Sequence, residues 1–183
     1  MPSATTDSTS VWDSTAVSAF AKGNDDVLIV ERRPLAGLEA AVQSARVHEC
    51  YVAIKRENAA SEVRAALREI RIKSSELEED MIKVVNSFFD QFHVAKANLR
   101  VEILLTQPCP NFHCDNVHVR LVTTYFGPTT EYQYAGEGTT RSAPLCGFVF
   151  LKGHRHPTHR DTVHHRSPEI CDGDKRLCMA IDY

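Results

Sequence analysis

Two hydrophobic periods run along the chain, and the change from one to the other falls near Asn98. Before it, the clearest pattern is helical: Leu77, Met81, Val84, Val85, Phe88, Phe89 and Phe92 recur on one stripe, which predicts a helix over 75–92. Ser75 followed by Glu78 has the form of a capping box at its start. The aromatic stripe has the spacing of a helix packed on a sheet, and reads as core rather than cofactor site. Weaker helical patterns cover 35–47, which is Ala-rich, and 58–72, where Val63, Leu67 and Ile70 align. The apolar run 27–30 lies between Asn24-Asp25-Asp26 and Arg32-Arg33-Pro34 and reads as a strand. Beyond Asn98 the period shortens to two, with Leu99, Val101, Ile103 and Leu105 alternating with Arg100 and Glu102. Short β runs follow at 117–126, 131–134, 145–151, 162–165 and 176–181, separated by turn formers such as Gly127-Pro128 and Asp172-Gly173-Asp174.

This order predicts an α+β fold: a mainly helical part over 27–98 buttressing a β-sandwich or jelly roll over 99–183. Residues 1–16 are Ser/Thr-rich and read as a flexible tail, leaving 17–183 as a single domain. Composition adds that a core is present, since 43% of the 183 residues are hydrophobic and 25% charged. A net charge of −3 speaks against a dedicated nucleic-acid binder. No apolar run approaches the roughly 20 residues that cross a bilayer, and the N-terminus has neither the basic nor the apolar part of a secretory signal. The expectation is a cytoplasmic protein with no membrane or nucleic-acid partner. Its six cysteines form no C-x-x-C pair and read as reduced, mostly buried thiols.

The histidines change the picture. Of nine, seven lie between His113 and His165, five of them within HRHPTHRDTVHH. His154, His156 and His159 read as members of a polar loop. His113 and Asp115, two apart, leave an extended segment on the same face and can share one ion. A second histidine from a distant strand, His165, completes a two-His-one-carboxylate set. Such a set leaves positions open for a co-substrate and dioxygen at non-haem Fe(II), although zinc and manganese accept the same donors. Arg176 begins an alternating strand in which Arg176, Cys178 and Ala180 oppose Leu177, Met179 and Ile181. A guanidinium on that small-residue face is explained if it clamps a carboxylate; a surface arginine at a strand entry is the competing account. Thr123 and Tyr125 share a face and are candidates either to bond that carboxylate or to pack in the core.

The order of these motifs resembles the double-stranded β-helix of the Fe(II)/2-oxoglutarate-dependent oxygenases, in particular their prolyl hydroxylase-like branch. The stretch HCDNVHVRLVTTYFGPTTEY, then Gly147 to Phe150, then a distal His and a basic residue carry that resemblance. CPNFHCDNVHVRLVTTYFGPTTEY with FLKG, HRSP and RLCMAID more closely resembles the family catalogued as domain of unknown function 1826. The resemblance implies His113, Asp115 and His165 as metal ligands, the HRSP motif selecting His165 over His164, and Arg176 as the clamp for 2-oxoglutarate. It implies a jelly-roll, cupin-like core and a dioxygenase acting on a small-molecule or protein substrate. Cys114, inside His-x-Asp, is expected to point away from the metal. The alternative is a non-catalytic zinc- or iron-homeostasis protein on the same barrel, with His154, His156, His159 and the cysteines handling zinc. A degenerate cupin-like ligand-binding module is a third reading.

Overall fold

In the computed structural model, which describes residues 10–183, the strongest helical pattern becomes the longest helix, α4 (Ser75–Phe92). Its cap lies one residue earlier than the sequence signature. Ser74 is the cap, its Oγ accepting the Leu77 N–H at 3.3 Å. Glu78 therefore closes no capping box and instead accepts from Arg64 Nε at 2.8 Å. α4 ends at His93, which takes a left-handed conformation.

Helices α1 (Ser14–Lys22), α3 (Ala59–Glu69) and α4 share one hydrophobic core with a single face of a six-stranded sheet. Its strands are β1 (Val27–Val30), β2 (His48–Ile54), β3 (Ala97–Leu104), β4 (Val119–Phe126), β7 (Phe148–Lys152) and β9 (Arg176–Asp182). They run antiparallel in the order β1-β7-β4-β9-β3-β2. A smaller sheet, ordered β6-β5-β8, is formed by β5 (Glu131–Tyr134), β6 (Arg141–Ser142) and β8 (Val163–Arg166). A second apolar cluster, with Val122, Val149 and Leu151 against Tyr132 and Val163, joins this sheet to the face that the helices leave free.

Strand parity sorts the side chains between the two faces. In the β3–β9 register, Leu99, Val101 and Ile103 stand opposite Ile181, Met179 and Leu177, all within the helix-side core. Their neighbours Arg100 and Glu102 stand opposite Ala180 and Cys178, and Arg176 opposite Leu104, on the other face. The helix layer is also tied by charge. Arg32 holds Asp80 of α4 through two hydrogen bonds, of 2.6 and 2.9 Å, and donates through Nε to the Cys146 carbonyl.

Several expectations are corrected. Part of the segment read as a tail is folded: Trp12 is buried, Asp13 caps α1, and only residues 1–9 lie outside the described chain. The helix expected over 35–47 shrinks to α2 (Glu39–Ser44). The split at 99 does not hold, because β1 and β2 form the two edges of the large sheet. β2 escaped notice because, as an edge strand, it fully buries only Cys50 and Ile54. Of the six cysteines, Cys50, Cys146 and Cys178 are buried, Cys114 is half-buried, and Cys109 and Cys171 are exposed. Among the described residues no helix is long and apolar enough to cross a membrane.

Asp26, ahead of β1, pins the loop between β7 and β8. Its carboxylate is 2% exposed and accepts from Arg160 N, Thr162 N and Thr162 Oγ1 at 2.8–3.1 Å. Burial pushes its pKa up, but the bonds from Thr162 and Arg160 outweigh it and leave the group below its usual value. A carboxyl with a lowered folded-state pKa stabilises above its unfolded value, near 3.9, and loses that contribution as pH falls. Asp26→Asn is expected to cost about 1.5–3 kcal/mol at neutral pH, the range for hydrogen bonds to charged groups. In urea denaturation the gap to wild type should close as pH drops below about 4. A gap independent of pH would contradict the assignment.

Candidate functional site

The face of the large sheet turned away from the helices carries the site. After β3 the chain crosses to the small sheet, where His113 forms an isolated bridge with His165 of β8. Each backbone N–H donates to the other residue's carbonyl at 3.0 Å, so the two histidines are neighbours by backbone pairing. Their rings lie 4.6 Å apart. Asp115 completes the group, its Oδ1 3.7 Å from His113 Nε2 and its Oδ2 3.1 Å from His165 Nε2. One donor atom from each residue lies within 4.8 Å of the others.

The local bonding prepares these groups as ligands. His113 Nδ1 lies 2.9 Å from the Asn111 carbonyl, an arrangement that places the proton on Nδ1 and leaves the Nε2 lone pair free. Asp115 Oδ2 is buried and accepts no hydrogen bond, although His165 Nε2 is so close. Burial would push the Asp115 carboxyl up, but His165, Arg120 and His113 together outweigh it and hold the pKa down at about 2. A half-buried, ionised, under-bonded carboxylate facing two imidazole nitrogens is a donor set that fits a divalent cation.

Arg120 was not singled out from the sequence. Its Nη1 lies 2.6 Å from Asp115 Oδ1, while Nε and Nη2 donate to Asp182 Oδ2 at 3.0 and 2.7 Å. It shares a β4 face with Val122 and Thr124. The alternation Val119, Arg120, Leu121, Val122 carried the same signal that drew attention to Arg176.

Arg176 lies across a cavity of about 70 Å³ whose walls also include His113, His165, Arg120 and Val122. Four guanidiniums, Arg100, Arg120, Arg166 and Arg176, line it against one carboxylate, Glu102. Burial raises the Glu102 pKa. Arg100 pairs with Glu49 and Glu102, Arg120 with two aspartates, and Arg166 with Glu131. Arg176 is 3% exposed, yet among the described residues no carboxylate lies within ion-pair distance of it, and Glu102 acts on it only at longer range across the cavity. Its Nη2 donates to Thr124 Oγ1 and Thr130 Oγ1 at 3.2 and 3.0 Å, and its Nε donates to nothing.

Thr123 and Tyr125 fall on the wrong face to join it. Thr123 pairs with Met179 on the core side, and its buried hydroxyl bonds nothing. Tyr125, at a bulge in the β4–β9 ladder, sits in the helix-side core and donates to Asp80 Oδ2 at 2.8 Å. The threonines that reach the guanidinium are Thr124 and Thr130. His164 points elsewhere, to Asp161 at 3.1 Å, and His118 stacks on Tyr183. Cys114 Sγ stands 3.8 Å from His159 Nε2, in a separate group with His154. His156 is buried, its Nδ1 accepting the Thr158 N–H at 3.2 Å.

The family model described as Protein of unknown function (DUF1826) matches residues 11–182. The chain belongs to the DUF1826 family. No curated protein matches it. Among solved structures, the DUF1826 chain is similar to a prolyl-4-hydroxylase from Pseudomonas putida, at 8% identity and TM-score 0.47, covering 92% of this chain and 96% of that one. It is also similar to the viral collagen prolyl hydroxylase of Paramecium bursaria Chlorella virus-1 in its 2OG complex, at 15% identity and TM-score 0.41, covering 72% and 93%. A C-terminally truncated Neurospora crassa protein in apo form gives 16% identity and TM-score 0.45, over 78% and 66%.

Replacing Arg120 leaves Asp115 and Asp182 buried without their cation. Arg120→Met is expected to lower the unfolding free energy of the DUF1826 chain by about 3–5 kcal/mol, the range for breaking a buried ion pair from one side. Chemical denaturation checks this, and a change below about 1 kcal/mol, the scale of exposed pairs, would place the pair in solvent.

Proposed function

We propose that this DUF1826 protein is a non-haem Fe(II)/2-oxoglutarate-dependent oxygenase, a hydroxylase in reaction class, with its two sheets forming a double-stranded β-helix. The observation that carries the reading is Arg176: a buried guanidinium that, among the described residues, has no carboxylate within ion-pair distance, across one cavity from His113 and His165 of the His-Asp-His donor set. Burying a charge that Glu102 offsets only at longer range is costly, and a ligand carboxylate would lower that cost. His113 Nε2, His165 Nε2 and the Asp115 carboxylate would hold the metal. Arg176, steadied by Thr124 and Thr130, would receive the far carboxylate of 2-oxoglutarate.

Bound there, the metal and co-substrate would supply the activation of dioxygen that this chain's side chains cannot provide. The residues do the positioning. The His113–His165 backbone bridge sets the spacing of the two imidazoles. Arg120 keeps Asp115 ionised and turned toward them. Val122, Cys178 and Ala180 give the cavity small and apolar wall groups that limit water around the clamp.

Anaerobic titration of Fe(II) and then 2-oxoglutarate into full-length protein tests the reading. Wild type should bind one metal and the dicarboxylate, and Asp115→Ala should lose the metal. Arg176→Ala should keep the metal but bind 2-oxoglutarate at least about tenfold more weakly, since one charge-assisted bond is worth about 1.5–3 kcal/mol. Arg176→Lys should recover part of the loss, because an ammonium lacks the planar fork. Equal affinities in wild type and Arg176→Ala would remove the clamp. No 2-oxoglutarate binding by wild type would remove the oxygenase.

A further inference from the structure

We propose that Cys114, His154 and His159 form a second cation site, suited to zinc, on the other side of the segment that carries His113 and Asp115. Cys114 lies between those two residues in the chain, and alternation directs its thiol away from them. One donor atom from each of Cys114, His154 and His159 lies within 4.8 Å of the others. Cys114 Sγ and His159 Nε2 are 3.8 Å apart, and the His154 and His159 rings are 5.0 Å apart, centre to centre.

The backbone brings the group together. His154 N donates to the Asp115 carbonyl at 2.9 Å, Arg155 N to Val117 at 3.1 Å, and Gly153 N to His118 at 3.1 Å. A Cβ on Gly153 would lie 2.3 Å from the Val117 carbonyl oxygen and 2.5 Å from that of Asp115. Only glycine lets the loop after β7 press this closely against residues 115–118, and the next residue is His154.

A second, independent feature supports His159 as a ligand. Its side chain is only 10% exposed, and its buried Nδ1 has no hydrogen bond, with Asp26 Oδ1 at 3.4 Å. Asp26 is itself fixed by Arg160 and Thr162. Asp26 stands on the Nδ1 side of the ring, where a hydrogen bond to it would orient Nε2, already turned to the thiol, toward a metal. His159 Nε2 also lies 3.8 Å from Asp161 Oδ1, an exposed carboxylate that could take a fourth position. One sulfur and two imidazole nitrogens suit zinc and disfavour magnesium and calcium, which take oxygen. An ion there would fasten the β7–β8 loop to the residue between His113 and Asp115, and so hold both of those ligands in place.

Cobalt(II), a spectroscopic stand-in for zinc, tests this in the full-length protein. Anaerobic titration of wild type should bind two equivalents and develop a sulfur-to-cobalt charge-transfer band in the near ultraviolet, which the His113–Asp115–His165 site cannot give. Cys114→Ser should abolish the band and drop the stoichiometry by one equivalent. His154→Ala, at an exposed position that should not affect folding, should weaken or remove the band. His165→Ala should leave it in place. A wild type without the band would overturn the proposal. So would a band that survives Cys114→Ser, including one that disappears only in Cys50→Ser, which would place the thiolate beside His48 and Glu69.

Discussion

The carboxylate of Asp115 and the guanidinium of Arg120 hold the rest of the site in place. A charge under a sheet must be compensated. Arg120, 2.6 Å from Asp115 and bonded to Asp182, compensates two carboxylates at once. It ties the irregular segment after β3 to the last strand of the chain. With Asp115 fixed in this way, the His113–His165 bridge can bring two imidazoles from the edge of the small sheet to one carboxylate. Arg176 is the converse case. It lies on the same face, is more deeply buried, and among the described residues has no carboxylate within ion-pair distance. The contrast between an arginine paired with two carboxylates and one bonded only to threonines is what favours, in the proposed function, a ligand that brings its own negative charge.

The sequence carried this site unevenly. His113, Asp115 and Arg176 were legible because they sit in extended segments, where parity fixes which side chains share a face, whereas the HRSP motif selected His165 over His164. The same rule applied to β4 groups Arg120 with Thr124 and sets Thr123 with Tyr125 on the opposite face, without saying which face carries the site. The β4 register could not be read because it depends on pairing with β9, and a bulge at Tyr125 interrupts that pairing. Tyr125 spends its hydroxyl on Asp80 of α4, a contact 45 residues away in the chain that no local pattern reveals. The longest helix was clear from its stripe, yet its cap moved from Ser75 to Ser74, because two adjacent serines offer the same signal. β2 was missed for a related reason: an edge strand buries little, so its alternation is weak.

The His-rich loop also gains a role in the fold. Asp26 pins its far end, Gly153 lets its near end touch residues 115–118, and His159 lies between these anchors. The loop then leads directly into β8 and His165. Two groups of side chains that could each hold a cation therefore share one short segment, with His113 and Asp115 on one side and Cys114 on the other. Whatever stiffens one group steadies the other through the backbone between them.

Diffraction at the iron absorption edge, from crystals grown without oxygen in Fe(II) and 2-oxoglutarate, tests the central claim most directly. The account predicts an anomalous peak among His113, Asp115 and His165, with a carboxylate of the co-substrate against Arg176. A peak absent from those three residues, or a dicarboxylate bound away from Arg176, would contradict it.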